Sequence, residues 1–251
     1  MDSGFGIGWY GVMIALGVLA ALGIAVIEAN RRKEKASELL GMALLVLPLG
    51  IIGARLYHVI DQWDYYMQNP GLIIGGQGLG IFGAIIGGVL GVIIYTLWKK
   101  LSTLRWLDIL APGLILAQAI GRWGNYFNQE LYGYPTDLPW AIYIDPMHRL
   151  PGYKSYSYFH PMFFYEFLWN LIGFVILMVV GRKMYNRLRD GDIFFLYVIW
   201  YSIGRFILEG FKINVWTLGG FPTARWITLI AIVVCVVVIV LRHHKFHKEK
   251  K

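Results

Sequence analysis

The chain has 251 residues, 57% of them apolar and only 15% charged, with a mean hydropathy of +0.56. Soluble globular proteins average about 45–50% apolar and roughly 25% charged residues, so a water-soluble enzyme and a disordered chain are both excluded, and a polytopic membrane protein is implied. The net charge of +8 is concentrated in short clusters beside apolar runs, a pattern of cytoplasmic loops under the positive-inside rule rather than of a nucleic-acid-binding surface.

Four clusters punctuate the chain: Arg31, Arg32, Lys33 and Lys35; Lys99, Lys100 and Arg105; Arg182, Lys183, Arg187 and Arg189; and Arg242, Lys245, Lys248, Lys250 and Lys251. Apolar runs between them, at about 8–27, 38–60, 72–97, 106–127, 162–180, 193–208 and 223–241, approach or exceed the roughly 20 residues that cross a hydrocarbon core. The expected fold is therefore an all-α polytopic integral membrane protein of about seven transmembrane helices. It is expected to form a single domain over residues 1–251, with the N-terminus outside and the C-terminus cytoplasmic. Segments 61–71 and 209–222 read as short outer loops, and 128–159, rich in proline, as a small extracytoplasmic head. The N-terminal stretch has Asp2 and no basic residue, unlike a signal-peptide n-region, so the first span is expected to be retained. The tail HHKFHKEKK reads as solvated or attracted to anionic lipid. Cys235, the one cysteine, lies in IVVCVVVIV, so no intrachain disulfide is possible and an inert, structural thiol is expected.

Polar residues inside the spans carry the functional signal, because an arginine near a helix centre costs about 2.5–3.5 kcal/mol on insertion scales. Arg122 lies 17 residues past Arg105, about 25 Å along a helix. Arg205 lies 12 residues into the sixth span, about 18 Å along, and Glu209 follows it at ion-pair spacing. Arg55 sits near the outer end of the second span, and Arg225 opens the seventh, where snorkelling accounts for it. Tyr10 opens the first span. Several outer-half arginines need an anion, and guanidinium forks match phosphate oxygens, so these residues point to an outer-leaflet site for an anionic phospholipid. The residues alone leave an enzyme, a transporter and a lipid-binding scaffold all open.

The densest polar segment is GRWGNYFNQELYG at 121–133. It resembles the signature of the prolipoprotein diacylglyceryl transferases, a family of bacterial inner-membrane enzymes. Four more segments resemble the family in order: WYGVMIALG at 9–17, GARLYHVI at 53–60, HPMFFYEFLWNL at 160–171 and GRFILEGFK at 204–212. The resemblance implies transfer of a diacylglyceryl group from phosphatidylglycerol to the lipobox cysteine of a prolipoprotein signal peptide. A thioether forms, and glycerol phosphate is released. It implies essential roles for Arg122, Asn125, Glu130, Gly133, Tyr10 and Arg205. On this reading Arg122 and Arg205 hold the diester, Asn125 and Asn128 bind glycerol hydroxyls, and Glu130 orients an arginine. Gly133 and Glu209 join the lipid site. His160 is read as a base or a loop hydrogen-bonding group, and Glu166 as a functional or ion-paired carboxylate. No cofactor is expected and no metal, since no metal-ligand spacing such as H-E-x-x-H occurs.

Two positions depart from the family. Phe82 stands in GGQGLGIFGAIIGG where many relatives have His or Tyr, so a proton-carrying role does not transfer to it. Arg225, in TARW, stands where relatives often have Gln. Gly83, Gly87 and Gly91 form GxxxGxxxG, which serves close helix packing as well as lipid access.

Overall fold

The computed structural model describes residues 8–75, 78, 80–213 and 215–249; the side chains of 75, 81, 82 and 245–249 lie outside the description. The chain forms two compact units, one of residues 1–24 and 110–251 and the other of residues 25–109, with the boundaries falling inside helices α1 and α6.

The long helices follow the apolar runs. They are α1 (Trp9–Arg31), α2 (Glu38–Asp61), α6 (Thr103–Phe127), α7 (Met162–Lys183), α8 (Asp192–Leu208) and α9 (Thr223–Glu249). Among the described residues six helices are long and apolar enough to cross a membrane, and α6 is the most buried of them. Many of their leucines, isoleucines and valines are exposed, as hydrocarbon-facing side chains must be.

Two expectations change, and the last helix runs longer than its apolar run. The run at 72–97 is not one helix but a short α4 (Leu72–Gly75) and, beyond a break, α5 (Ile81–Trp98). The glycine-rich GGQGLG stretch explains the interruption, with Gly78 at φ 103° and Gly80 extended. The segment 61–71 contains a helical turn and a half, α3 (Trp63–Gln68). The basic tail continues α9 to Glu249, because no glycine or proline interrupts it after Pro222 and basic residues near a helix C-terminus oppose its dipole.

In the unit of residues 25–109, α5 packs along α2 through glycines. A Cβ at Gly91 would come within 2.9 Å of Val46 Cα, and one at Gly83 or Gly87 would run into the carbonyls of Gly53 and Leu49. Packing is thus the role of GxxxGxxxG here. Arg55 donates to the carbonyls of Ile73 (2.8 Å), Gly78 (2.9 Å) and Leu72, and its guanidinium lies 5.0 Å from the Tyr66 ring centroid. It ties down the broken segment.

In the other unit, Gly113 and Gly17 admit α1 against α6: a Cβ at Gly113 would lie 2.5 Å from the Ala21 carbonyl oxygen. Helices α7 and α8 cross at two further glycines, which make room for the Trp169 and Trp200 rings. The two indoles stack with centroids 4.5 Å apart, and each donates to the other's carbonyl at 3.0 Å. Residues 128–159 hold a small antiparallel pair, β1 (Ile142–Tyr143) and β2 (Tyr158–Phe159), in register Ile142 to Phe159 and Tyr143 to Tyr158. Tyr132, Ile144, Phe159 and Ile213 form the core beneath it. A second hairpin, β3 (Thr217–Leu218) with β4 (Phe221–Pro222), turns through Gly219 and Gly220 at positive φ, as a two-residue primed turn requires.

Candidate active site

The site begins at the C-terminus of α6. Beyond Phe127 the Gln129 N–H bonds the Tyr126 carbonyl (3.1 Å) and the Glu130 N–H bonds the Asn125 carbonyl (3.0 Å). This pair of bonds is a Schellman ending, with Gln129 in the left-handed position that usually holds glycine (φ 51°). Gln129 is fixed in that strained conformation by its own amide, which donates to Asp145 Oδ2 (2.8 Å) and accepts from the Asp145 N–H (2.7 Å).

The reversal folds Glu130 back over the helix end. Asn125, which is buried, donates from Nδ2 to Glu130 Oε1 (2.9 Å) and accepts from Arg122 Nη1 (3.3 Å). Asn128 adds a longer contact of 3.5 Å to the same Glu130 oxygen. Glu130 therefore acts on Arg122 through Asn125, and both ends of the Asn125 amide are engaged within the protein.

Arg122 Nε also meets Glu166 Oε2 at 2.6 Å, one turn into α7. The other Glu166 oxygen lies 2.7 Å from Lys212 Nζ and 4.0 Å from Arg205 Nη1. Arg205 Nη2 lies 2.9 Å from Glu209 Oε2, at the i,i+4 spacing read from the sequence. Glu166 is thus the hub of three cations delivered by α6, α8 and the segment after α8. The cavity beside Arg205 and Glu166 is about 20 Å³, room for about one water.

Gly133 closes the arrangement from behind. Its N–H bonds the His160 carbonyl (3.0 Å), it bridges to Lys212, and the Tyr134 N–H bonds the Phe211 carbonyl (3.1 Å). A Cβ at Gly133 would lie 2.6 Å from the Phe211 oxygen and 2.9 Å from His160 Cβ. The position needs glycine because the Phe211 backbone and the His160 and Met162 side chains meet there. Tyr10 packs its ring on Gly124, where a Cβ would come within 2.6 Å of Tyr10 Cδ2, and Trp9 stacks on Phe127 at 5.3 Å. The start of α1 is thereby set against the last turns of α6.

His160 stands just before α7. The Trp140 indole can only donate, and it does so to the Tyr165 hydroxyl (2.8 Å). The Tyr165 hydroxyl keeps its own hydrogen to donate and lies 3.1 Å from His160 Nδ1. Burial pushes the His160 pKa below the usual histidine value, in keeping with a neutral ring that accepts at Nδ1.

Arg225 is more than a snorkelling side chain. It donates to the Phe206 carbonyl (3.1 Å), with its guanidinium over the Phe206 and Phe221 rings at 5.1 and 5.8 Å. It caps the end of the helix that carries Arg205.

Of the residues singled out in the sequence, Arg122, Asn125, Asn128, Glu130, Glu166, Arg205 and Glu209 form one connected set, bordered by Gly133, His160 and Tyr10. Arg55 belongs to the other unit, and the Phe82 side chain lies outside the described residues. Lys212, Gln129 and Tyr165 were not singled out. A cavity of about 210 Å³ opens beside the set, lined by Asn125, Glu130, Tyr132, Ile142, Tyr143 and Phe163.

Two arginines from long apolar helices and a lysine from the segment after α8 are gathered on one carboxylate, an arrangement of charge and donors suited to an anion with several oxygens. The chain belongs to the prolipoprotein diacylglyceryl transferase family, whose pattern it matches over residues 1–241. It is 41% identical over 247 residues to the phosphatidylglycerol–prolipoprotein diacylglyceryl transferase of Listeria monocytogenes, covering 95% of this chain and 87% of the relative. The enzymes of the same name from Streptococcus mutans (38% over 236 residues; 93% and 90% covered) and Chloroflexus aggregans (41% over 260 residues; 94% and 85% covered) are similarly related.

Proposed function

We infer that this chain transfers the diacylglyceryl group of phosphatidylglycerol to the thiol of a prolipoprotein's lipobox cysteine, the first step of bacterial lipoprotein maturation. The observation that carries the reading is the Glu130–Asn125–Arg122–Glu166–Arg205 chain of contacts, built from the segments that resemble the family's motifs. The thiol sulfur attacks the glycerol carbon next to the phosphate ester. A C–S bond forms, and the C–O bond breaks with its electron pair going to the phosphate oxygen. The thiol proton passes to solvent as the thiolate forms, and glycerol phosphate leaves.

Arg122 and Arg205 bind the diester through charge-assisted hydrogen bonds and oppose the charge that grows on the departing phosphate. Removing one such preorganised donor elsewhere costs about 2.7–4 kcal/mol of transition-state stabilisation. Glu130 and Asn125 orient Arg122, and Glu209 orients Arg205. Tyr10, set against Gly124 at the end of α6, bonds the phosphate or positions the lipid. A free thiol with a pKa near 8.5 is already a few per cent thiolate at neutral pH, and neighbouring cations raise that fraction. Direct attack needs no covalent enzyme intermediate, and the buried Cys235 takes no part.

On this reading the multi-pass chain lies in the bacterial cytoplasmic membrane with its site toward the outer leaflet. The basic clusters support this, since Arg105, Arg182, Lys183 and Arg189 lie at the opposite ends of the helices from Arg122, Glu166 and Arg205. The test is incubation of the purified protein with phosphatidylglycerol and a lipobox peptide, followed by mass spectrometry. A peptide heavier by one diacylglyceryl group is expected. Its absence, with a peptide and lipid shown competent in a related enzyme, removes the reading.

A further inference from the structure

We propose that Lys212 is a third cation of the phosphate site, held by Glu166 until the leaving phosphate claims it. The proposal rests on the functional reading above and adds a residue to it. Lys212 sits in a fixed place: its backbone bridges to Gly133, and the neighbouring Phe211 carbonyl accepts from Tyr134. Its ammonium lies 2.7 Å from Glu166 Oε1, and the side chain is largely shielded (14% exposed). A merely solvated lysine would not be held at this depth.

The charges around Glu166 set Lys212 apart. Arg205 is countered by Glu209 and Arg122 by Glu166. Phosphatidylglycerol enters with one negative charge on its diester. When the C–O bond breaks, the electron pair stays on the phosphate oxygen, and the monoester product carries an additional charge. Two arginines that are already countered match the entering diester better than the departing phosphate. With Glu130 reaching Arg122 through Asn125, three carboxylates balance the three cations, but Lys212 has no carboxylate of its own and shares Glu166 with Arg122, so it is the cation most easily drawn to a new anion. An ammonium carries three rotatable donors on a flexible stem, so it can keep one on Glu166 and turn another to a phosphate oxygen.

The geometry around Glu166 supports the exchange. One carboxylate receives Arg122 at 2.6 Å, Lys212 at 2.7 Å and Arg205 at only 4.0 Å. The Arg205 contact is too long for a hydrogen bond, which leaves Nη1 available to a phosphate oxygen that draws closer. Lys212 acting on the product-like charge affects kcat more than lipid binding, because the interaction is made chiefly in the transition state.

The experiment uses the full chain in mixed micelles of phosphatidylglycerol with a lipobox peptide, and reads kcat and KM for the lipid. Lys212→Met is expected to lower kcat by about 10-fold or more with KM for the lipid within about 3-fold, and Lys212→Arg to recover most of the loss, as expected for a donor to developing charge. The decisive comparison is Glu166→Gln against Glu166→Gln/Lys212→Met. The double variant leaves no uncompensated charge at this pair, so it isolates what Lys212 does apart from Glu166. A further drop of about 10-fold in kcat from the second substitution is expected if Lys212 meets the substrate. No further drop means that Lys212 acts only by neutralising Glu166 and overturns the assignment, while wild-type turnover leaves the wider reading standing. A wild type that makes no adduct overturns both.

Discussion

Substituting Asn125 by Asp probes the relay between Glu130 and Arg122 most sharply, because it is nearly isosteric and breaks only one of two hydrogen bonds. The oxygen that accepts from Arg122 Nη1 at 3.3 Å remains, and the Nδ2 donor that meets Glu130 at 2.9 Å becomes an acceptor. The lost bond to a charged group is worth about 1.5–3 kcal/mol. Two carboxylate oxygens about 3 Å apart repel by about 1.4 kcal/mol in water and by about 5–6 kcal/mol at an effective dielectric constant of 20. Glu130 is exposed, so the lower part of that range applies, and Glu130 relieves some of it by turning away. A net penalty of about 3 kcal/mol on the productive geometry corresponds to a fall of roughly 100-fold in kcat/KM.

The rescue is more telling than the loss. In Asn125→Asp/Glu130→Gln the carboxylate and the amide have traded places, and the bond re-forms with its polarity reversed and the net charge of the single Glu130 restored. If Glu130 serves to orient Arg122, the double variant should regain at least about 10-fold over Asn125→Asp, since one charge-assisted hydrogen bond is restored. The assay is adduct formation in phosphatidylglycerol micelles at fixed pH, with folding checked by thermal denaturation. A double variant no faster than Asn125→Asp would refute the relay and leave Glu130 acting on substrate in its own right.

Other outcomes follow from the same geometry. Arg122→Lys and Arg205→Lys should each lose about 100-fold in kcat/KM, since an ammonium cannot replace a planar fork; turnover near wild type in either would refute the fork. Gly133→Ala should lower both thermal stability and activity, because its methyl meets the Phe211 oxygen at 2.6 Å; an unchanged melting temperature counts against the crowded junction. His160 has a folded-state pKa below the unfolded value of about 6.5, so the unfolded chain takes up the proton first. Stability should be complete above about pH 6.5 and should fall as the pH drops through the range between the two values, and His160→Gln should flatten that slope in a melting-temperature series. Equal slopes in the two proteins would contradict a neutral, half-buried ring. Thiol probes at Ser102→Cys and Thr136→Cys should label from the cytoplasmic and outer faces respectively, and labelling of Thr136→Cys from the cytoplasm would invert the topology.

Much of this was legible because it is local. The helices follow apolar run length, so six of the seven runs became long helices with their ends within a few residues of the basic clusters. The Arg205–Glu209 pair was readable because it lies within one helical turn. The break before α5 was less legible, since run length outweighed the glycines that interrupt the run at 75–80. Gln129 was opaque for a different reason. Its left-handed conformation is unfavourable for a side chain and is held by Asp145, sixteen residues away, in a segment whose fold the sequence did not display.

Lys212 shows where sequence reading ends. It was in view within GRFILEGFK, yet a lysine one turn beyond an apolar span reads as solvated loop, and most such lysines are. What removes it from that class is a backbone bridge to Gly133, 79 residues earlier in the chain, and a carboxylate on a third segment. Neither has a local signature. The same bridge gives Gly133 a second meaning: the resemblance placed it among lipid-binding residues, whereas its contacts are to the Phe211 carbonyl and His160. A glycine without a side chain then affects the chemistry by letting the Phe211–Lys212 backbone approach, and through that backbone by setting where Lys212 meets Glu166. If so, Gly133→Ala and Lys212→Met impair the same step, and combining them should cost little more than the worse of the two. Additive losses would mean that Gly133 serves the site by some route other than Lys212.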